Sequence, residues 1–250
     1  MNTLFRISLG LSISLVLFSS SCKKDKTATK IITHDTIYEG KLVDRQGTEY
    51  KTVTLGTQTW MAENLQTTVY SDSTAIPNIT NSTVWMSLST AAYNSYNNND
   101  SLGHSYGRLY NWYAVETGKL CPNGWHVPTD AEWDTLVIYL VNQRYDYLDY
   151  GTVAVAQAMA LNAGWSTSTT AGAPGYNNTL NNSCKFSAKP CGYSNGYFHG
   201  LGLNAYFWSS TPDTNNTVNA SDLYICNELT NPQELKITKK MGLSIRCLKD

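Results

Sequence analysis

Short segments that alternate between apolar and polar residues begin near residue 40 and return at the end of the chain. In 40–65, turn-forming residues at 45–47 and 56–57 separate β-branched segments, which predicts consecutive antiparallel strands joined by tight turns. Three later segments have the same character and are predicted to return to the sheet: 206–212, 221–229 and 242–250.

A different period, typical of a helix, follows residue 128. Thr129 and Glu132 form the T-x-x-E sequence of a capping box, which predicts a helix beginning at Thr129. The apolar residues that follow share one helical face and are predicted to be buried: Trp133, Leu136, Val137, Leu140 and Val141. An alanine-rich second helical segment is predicted over 152–165.

The start of the first helix also carries groups that an active site would use. Asp130 and Asp134 lie near the positive end of the helix, where carboxylates stabilise the first turn, and Glu132 is explained by capping. His126, just before the helix, is expected to bond to a backbone carbonyl. These groups therefore have structural explanations, and no catalytic residue is assigned among them.

Two long polar segments, 67–105 and 165–183, are predicted to be loops. Loops of this length inside a domain are usually functional or mobile, so the first of them is where a binding surface is expected. It contains GHSYG at 103–107, which matches the G-x-S-x-G elbow of hydrolases. That elbow needs a buried strand before it and a helix after it, and the context of Ser105 does not predict them.

The N-terminus predicts export. Residues 1–21 combine an early cation, an apolar run from Leu9 to Phe18 and small residues, as in a signal peptide, and the run is too short to span a membrane. The segment resembles a bacterial lipoprotein signal, which implies lipidation of Cys22; ordinary cleavage near Ser20 is the alternative. Residues 22–38 are expected to form a flexible tether, and 39–250 the domain.

Composition narrows the class of protein. The chain has 18 basic side chains, and one of them, Arg6, lies in residues 1–21. The remainder therefore carries 17 basic against 19 acidic side chains, which gives no excess of positive charge for binding nucleic acid. Only 15% of residues are charged, which is typical of extracytoplasmic β-rich modules. Five cysteines remain besides Cys22, enough for two disulfides at most, and their connectivity stays open. No zinc-type spacing occurs, so neither a metal nor another cofactor is predicted.

Five motifs in order carry a resemblance to a known family. They are TQTWMAENL, YGRLYNWYAV, GWHVPTDAEWDTL, FWSST and the terminal GLSIRCLKD. Together they resemble the Fibrobacter succinogenes major paralogous domain of Bacteroidetes-type lipoproteins, over about 40–250. The helix motif and the ending are also similar to the formylglycine-generating sulfatase-modifying fold and, through it, to C-type-lectin-like domains. The resemblance implies an α+β fold: two helices on small, twisted, mostly antiparallel sheets, with long loops that carry the binding surface.

The chain departs from these relatives at their chemical centres. The redox-active cysteine pair of the formylglycine enzymes has no match here. The calcium motifs of C-type lectins are approached only by TPD at 211–213 and NPQ at 231–233, so calcium-dependent binding is not expected.

The resemblance also suggests the disulfides. A bridge between Cys121 and Cys247 would join the helix entry to the last strand, as in the fold that the chain resembles. A second bridge, Cys184 to Cys191, is expected within a hairpin, which leaves Cys226 as the free thiol.

Aromatic residues divide into two expected groups. The tryptophans within the family motifs are predicted to fill the interior: Trp60, Trp112, Trp125, Trp133 and Trp208. Rings in the loops are the candidates for stacking on sugars, because a flat apolar face matches the C–H face of a pyranose. These ligand-binding candidates are Tyr93, Tyr96, Trp165, Tyr176, Tyr193, Tyr197 and His199.

The function expected from the sequence is a non-enzymatic module of the cell envelope, anchored to the outer membrane by lipid on Cys22, on its periplasmic or surface face. Its loops would bind a glycan or an envelope protein. Two alternatives remain: an enzyme of formylglycine-enzyme-like fold that acts on peptide or polysaccharide, and an architectural surface or adhesin component.

Overall fold

The first three strands form the expected antiparallel meander. In the computed structural model, which describes residues 40–145 and 154–250, they are β1 (Gly40–Val43), β2 (Glu49–Leu55) and β3 (Gln58–Met61). The turns fall where the sequence predicts them, and β1 is an edge strand. The predicted signal peptide, Cys22 and the tether lie outside the described residues.

Nine further strands and five helices follow in the described part of the chain. The strands are β4 (Tyr93–Asn94), β5 (Leu109–Tyr110), β6 (Trp125–His126), β7 (Cys191–Ser194), β8 (Phe198–Leu201), β9 (Asn204–Pro212), β10 (Asn219–Cys226), β11 (Gln233–Thr238) and β12 (Leu248–Lys249). The helices are α1 (Ser82–Ser87), α2 (Asp100–Tyr106), α3 (Trp112–Glu116), α4 (Asp130–Asn142) and α5 (Val155–Met159), with 3-10 turns at Tyr96–Asn98 and Asn178–Leu180.

The strands form two five-stranded sheets and one small ribbon. The order in the first sheet is β1-β2-β3-β12-β6, and in the second β11-β10-β9-β7-β8; β4 pairs with β5. Every pair of strands is antiparallel except β7 with β9. The fold is therefore α+β with mainly antiparallel sheets, as predicted, although the described residues contain five helices and not two.

Helix α4 begins as the sequence predicts. The Thr129 side chain accepts from the amide of Glu132, and the Glu132 carboxylate accepts from the amide of Thr129, so the capping box is confirmed. The buried face contains Trp133, Leu136 and Leu140, but Val141 is 41% exposed, because the helix ends one residue later and its last turn leaves the core.

Helix α5 is much shorter than the segment 152–165 that the sequence predicts. It ends at Met159 because Ala160 adopts an extended conformation and bridges to Ala188 in a parallel pairing. Its five residues are all buried, so the alanine-rich composition reflects close packing.

One polar segment, 67–105, is more ordered than predicted. Within 67–105, Asn81 and Asn99 cap α1 and α2 with their side chains, and β4 lies between these helices. The expectation of one irregular loop is therefore wrong for this segment.

The terminal segment 242–250 contains less regular strand than predicted. Only Leu248–Lys249 is strand, whereas Gly242, Leu243 and Ser244 make single bridges to three different elements.

The second sheet lies between two hydrophobic clusters. Along β9, Ala205 and Phe207 face the cluster that includes α4 and α5, while Trp208 and its neighbour Tyr206 face the other. The predicted interior tryptophans Trp60, Trp112, Trp133 and Trp208 are buried, and Trp125 is only half-buried against the second cluster.

Arg246 is completely buried between these clusters. Its Nε donates to Asn64 Oδ1 at 2.7 Å, and its guanidinium lies over the rings of Phe186 and Phe207, 4.6 and 5.5 Å from their centroids. Nη1 donates to the carbonyls of Met61 and Phe186, and Nη2 to the carbonyl of Ser187. One side chain thus joins the end of β3, the segment before β7 and the terminal segment.

One of the two expected disulfides is present. Cys121 and Cys247 are bonded, with an S–S distance of 2.01 Å. The expected bridge between Cys184 and Cys191 is wrong, because both are buried free thiols with different partners. Cys184 Sγ donates to the carbonyl of Ala158, whereas Cys191 Sγ lies 3.0 Å from the Ser244 hydroxyl. Cys226 is also free and is partly exposed.

Candidate binding surface

Three of the seven predicted ligand-binding residues are buried. Tyr93 packs against Tyr110 and Tyr96 against Phe198, and their exposed fractions are 8% and 7%. Trp165 belongs to the first hydrophobic cluster and is 4% exposed. The expectation that these three rings are exposed is wrong, because the segments that carry them fold back on the core instead of extending into solvent.

Two others are exposed without a ring neighbour in the described structure. Tyr176 is 50% exposed in the segment before the second 3-10 turn, and Tyr197 is 58% exposed in the turn between β7 and β8. Each offers a surface ring of the kind that occurs singly on many proteins, so neither defines a site by itself.

Tyr193 and His199 lie together, and the second sheet extends their contact into a row of four rings. Tyr193 is paired with His199 on β8, and the parallel pairing of Gly192 with Ala205 places Tyr193 beside Tyr206. Tyr206 in turn is paired with Tyr224 on β10. We refer to His199, Tyr193, Tyr206 and Tyr224 as the aromatic row.

The rings of the aromatic row are in continuous contact. Centroid distances are 5.1 Å from His199 to Tyr193, 5.3 Å from Tyr193 to Tyr206 and 4.5 Å from Tyr206 to Tyr224. The last pair is stacked at 22°, whereas Tyr193 meets Tyr206 edge to face at 84°. His199 is exposed and the three tyrosines are partly buried, so the row forms a fixed, water-accessible strip across four strands, about 14 Å long.

Polar groups flank the aromatic row. His199 Nε2 lies 3.2 Å from Asn195 Oδ1, and the Tyr224 hydroxyl donates to Asn204 Oδ1 at 3.0 Å. Gln233 of β11 is the cross-strand partner of Tyr224 and continues the row with an amide. An apolar strip edged by amides and hydroxyls can bind a ligand that has both C–H faces and hydroxyl groups.

The hydroxyls of Tyr206 and Tyr224 remain protonated at neutral pH. Burial raises the pKa of Tyr206 to about 12, and the nearby Tyr193 and Asp222 add to the shift. Burial also raises the pKa of Tyr224, with a further contribution from its hydrogen bond to Cys226. Each hydroxyl therefore serves as a neutral donor and acceptor of hydrogen bonds.

Ser105 lacks the surroundings of a nucleophile. It lies in the last turn of α2, and its hydroxyl donates to the carbonyl of Ser101 at 2.9 Å, a bond within the helix. A nucleophile elbow places the serine between a strand and a helix, so the match to G-x-S-x-G does not correspond to that structure.

His126 also differs from its expected role. Instead of a backbone carbonyl it contacts two carboxylates, with Nδ1 2.6 Å from Asp250 and Nε2 3.0 Å from Glu132. Partial burial lowers the pKa of His126, but the bonds to Asp250 and Glu132 outweigh it, and the net shift is upward. With both ring nitrogens occupied, His126 links α4 to the end of the chain and has no nitrogen left to activate a nucleophile.

Asp222 is the most perturbed acid of the second sheet. It is 1% exposed, and neither carboxylate oxygen has a hydrogen-bond partner in the described structure. Burial raises the pKa of Asp222 to about 8, and Asp130 and Glu234 add to the shift.

The residues described contain no cluster of three His, Cys, Asp or Glu side chains that could hold a metal ion.

The sequence did not identify half of the aromatic row. Tyr206 and Tyr224 lie in strands whose neighbouring residues, Phe207 and Leu223, are buried, so both tyrosines look like core residues. The available signal is the alternation within each strand, which places Tyr206 and Tyr224 on the face opposite to the fully apolar positions. The sequence alone does not show that β9 and β10 pair, and this pairing is what places Tyr206 beside Tyr224.

None of the helices described is long and apolar enough to cross a bilayer.

No curated protein and no solved structure matches this chain. The model of the Fibrobacter succinogenes major domain matches residues 53–249, which include the end of β2, every strand from β3 to β12 and the aromatic row. On this match over most of its length, the chain belongs to the Fibrobacter succinogenes major domain family.

Proposed function

We propose that this protein is a non-catalytic binding module of the cell envelope that binds glycans along the aromatic row. The observation that carries the proposal is the set of four contacting rings, His199, Tyr193, Tyr206 and Tyr224, partly open to solvent on adjacent strands. A fixed aromatic strip loses little conformational entropy when a ligand binds, and its amide-bearing margins can hydrogen-bond to sugar hydroxyls.

A C-type-lectin-like architecture is part of this proposal. It is supported by the terminal strand β12 in the same sheet as the first strands and by the disulfide that joins Cys121 to Cys247. The second sheet, β11-β10-β9-β7-β8, carries the aromatic row. In this protein the proposed ligand surface is on that sheet and needs no calcium.

The proposal is tested by binding of the full-length protein to an array of bacterial, plant and host glycans, followed by titration of the ligands that bind. Replacing His199 or Tyr224 with Ala should weaken binding about two- to tenfold, because a lost aromatic contact is worth about 0.5–1.5 kcal/mol. Tyr176→Ala removes a ring of similar exposure outside the aromatic row and should leave the affinity unchanged. Circular dichroism and melting temperature identify variants that fail to fold.

Two results would contradict glycan binding by the aromatic row. Equal loss in the Tyr176 variant would show that the ligand lies elsewhere, and an array without any binding by folded protein would favour a protein partner or an architectural role. Loss of binding after addition of a chelator would reject the calcium-independent mode.

Anchoring by lipid on Cys22 is proposed from the N-terminal sequence. In bacteria supplied with an alkyne fatty acid, the full-length protein should be labelled and recovered with membranes, and Cys22→Ser should lose both the label and the membrane association. Cys226→Ser keeps Cys22 and should retain both. Labelling of the Cys22 variant would remove the lipid from the proposal.

A further inference from the structure

A pocket that includes no residue of the aromatic row is lined by the end of α2, by 161–164 and by the two residues before β7. Its volume is about 340 Å³, within the range of about 300–1,000 Å³ that is usual for small-molecule sites. Most of the wall is apolar and is formed by Tyr106, Leu161, Ala163 and Pro190.

The polar group that distinguishes this pocket is the ammonium of Lys189. Its Nζ donates to the carbonyl of Ser105 at 2.5 Å, the one acceptor found for it in the described structure. A lysine ammonium has three donors, so two remain for a ligand. Most other lysines that make side-chain bonds face a carboxylate, as Lys41 faces Glu49 and Lys119 faces Asp72.

The surroundings of Lys189 favour an anion. Burial lowers the pKa of Lys189, and the nearby Arg246 and Lys51 act in the same direction, whereas Glu63 and Cys191 oppose them. The Glu63 carboxylate itself accepts the amide of Lys51 and is no direct partner of Lys189. A positive charge held in an apolar pocket without a carboxylate is stabilised by any ligand that brings one.

We infer that this pocket binds a small monocarboxylate with an apolar body, whose carboxylate accepts from Lys189 while its body contacts Tyr106, Leu161 and Pro190. The inference is independent of glycan binding, because it concerns different residues on different elements. The sequence signal is a lysine within the otherwise apolar and small segment FSAKPC, residues 186–191.

The probe is 4-fluorobenzoate, which is followed by fluorine NMR as it is titrated into the full-length protein, with 4-fluorobenzamide as its neutral analogue. We expect saturable binding of the acid, and binding of the amide that is at least about tenfold weaker, since bonds to charged groups are the stronger ones. Lys189→Met should reduce the affinity for the acid to that for the amide, and Lys189→Arg should retain it. Lys119→Met, which removes an exposed ion pair, is the matched control.

Two further measurements keep the inference testable if a Lys189 variant does not fold. Ala163→Trp changes an exposed wall residue, fills the pocket while Lys189 remains, and should abolish binding. Since the probe stays anionic, its affinity for unaltered protein should fall as the pH rises through the pKa of Lys189, which lies below the ordinary lysine value of 10.5. Equal affinities for acid and amide, no saturable binding, or full binding by the folded Lys189→Met or Ala163→Trp protein would each overturn the inference.

Discussion

At the scale of single residues, Arg246 contributes to the interior in a way that no apolar residue can. Four of its hydrogen bonds end on buried acceptors: the Asn64 side chain and the carbonyls of Met61, Phe186 and Ser187. None of these three carbonyls pairs with a strand that carries another of them, and Arg246 donates a hydrogen bond to each. The charge is offset by hydrogen bonds and by the rings on which it lies, without a carboxylate among these contacts.

Replacing Arg246 with Met should therefore be severe. We expect the free energy of unfolding to fall by about 3–5 kcal/mol, because several buried acceptors would lose their donor at once. Urea denaturation of the full-length protein measures the change. Arg45→Met, which removes an exposed arginine bonded to Ser73, should change the stability by less than about 0.5 kcal/mol. A loss below about 1 kcal/mol for the Arg246 variant would mean that water reaches these carbonyls.

At the scale of elements, His126 ties the start of α4 to the chain end beside β12. Its raised pKa means that the stabilisation by protonated His126 is fully present below the ordinary value of 6.5 and is lost as the pH rises through the raised pKa. Burial raises the pKa of Glu132, but its bonds to Thr129 and His126 prevail and lower it from 4.5. The contribution of Glu132 is present above that value and is lost as the pH falls through its lowered pKa. The contributions of His126 and Glu132 to stability are therefore both fully present from about pH 4.5 to 6.5.

The expected consequence is a pH-dependent effect of His126→Gln. Unfolding experiments should find the variant less stable than the unaltered protein near pH 5.5, with a difference that shrinks by pH 8. Its size should stay below about 1 kcal/mol, since the His126 side chain is 37% exposed and solvent screens the pair. His104→Gln alters an exposed helical pair with Asp100 and provides the control. A difference that grows above pH 7 would contradict the assignment.

Local patterns predicted the elements whose causes are local. The capping residues Thr129 and Glu132 defined α4, and the turns at 45–47 and 56–57 defined the first three strands. The aromatic row was predicted only in part, because Tyr193 and His199 are close in sequence while Tyr206 and Tyr224 join them through pairing of distant strands.

The errors have the same physical origin. Tyr93, Tyr96 and Trp165 occur in polar stretches, and nothing local reveals that these stretches pack back on the core. Cys184 and Cys191 are seven residues apart, yet the parallel bridge of Ala160 with Ala188 and the turn into β7 direct their side chains to different partners. Sequence separation alone could not decide between pairing and separate burial.

At the scale of the whole molecule, the disulfide between Cys121 and Cys247 closes a loop with a sequence separation of 126. Loops of this length restrict the unfolded chain strongly, so the double variant Cys121→Ser, Cys247→Ser should lose about 5 kcal/mol of stability in the chain-entropy account. Thermal and urea unfolding measure the change. Cys226→Ser replaces a partly exposed free thiol and should lose less than about 0.5 kcal/mol. Equal stability of the double variant would indicate that this bond does not restrict the unfolded ensemble.

The position of β12 also has a consequence for the order in which the protein forms. Leu248 pairs on one side with Trp60 and on the other with His126, so a strand that is distant in sequence from both neighbours occupies an interior place in the first sheet. Until it arrives, β3 and β6 each present an unpaired edge, and Arg246 has not yet reached its acceptors. Such long-range closure slows folding and leaves strand edges open to other chains. Assembly of this sheet therefore has to wait until residues 248–249 have been synthesised, and until then the open strand edges of the nascent chain have to be kept from pairing with other chains.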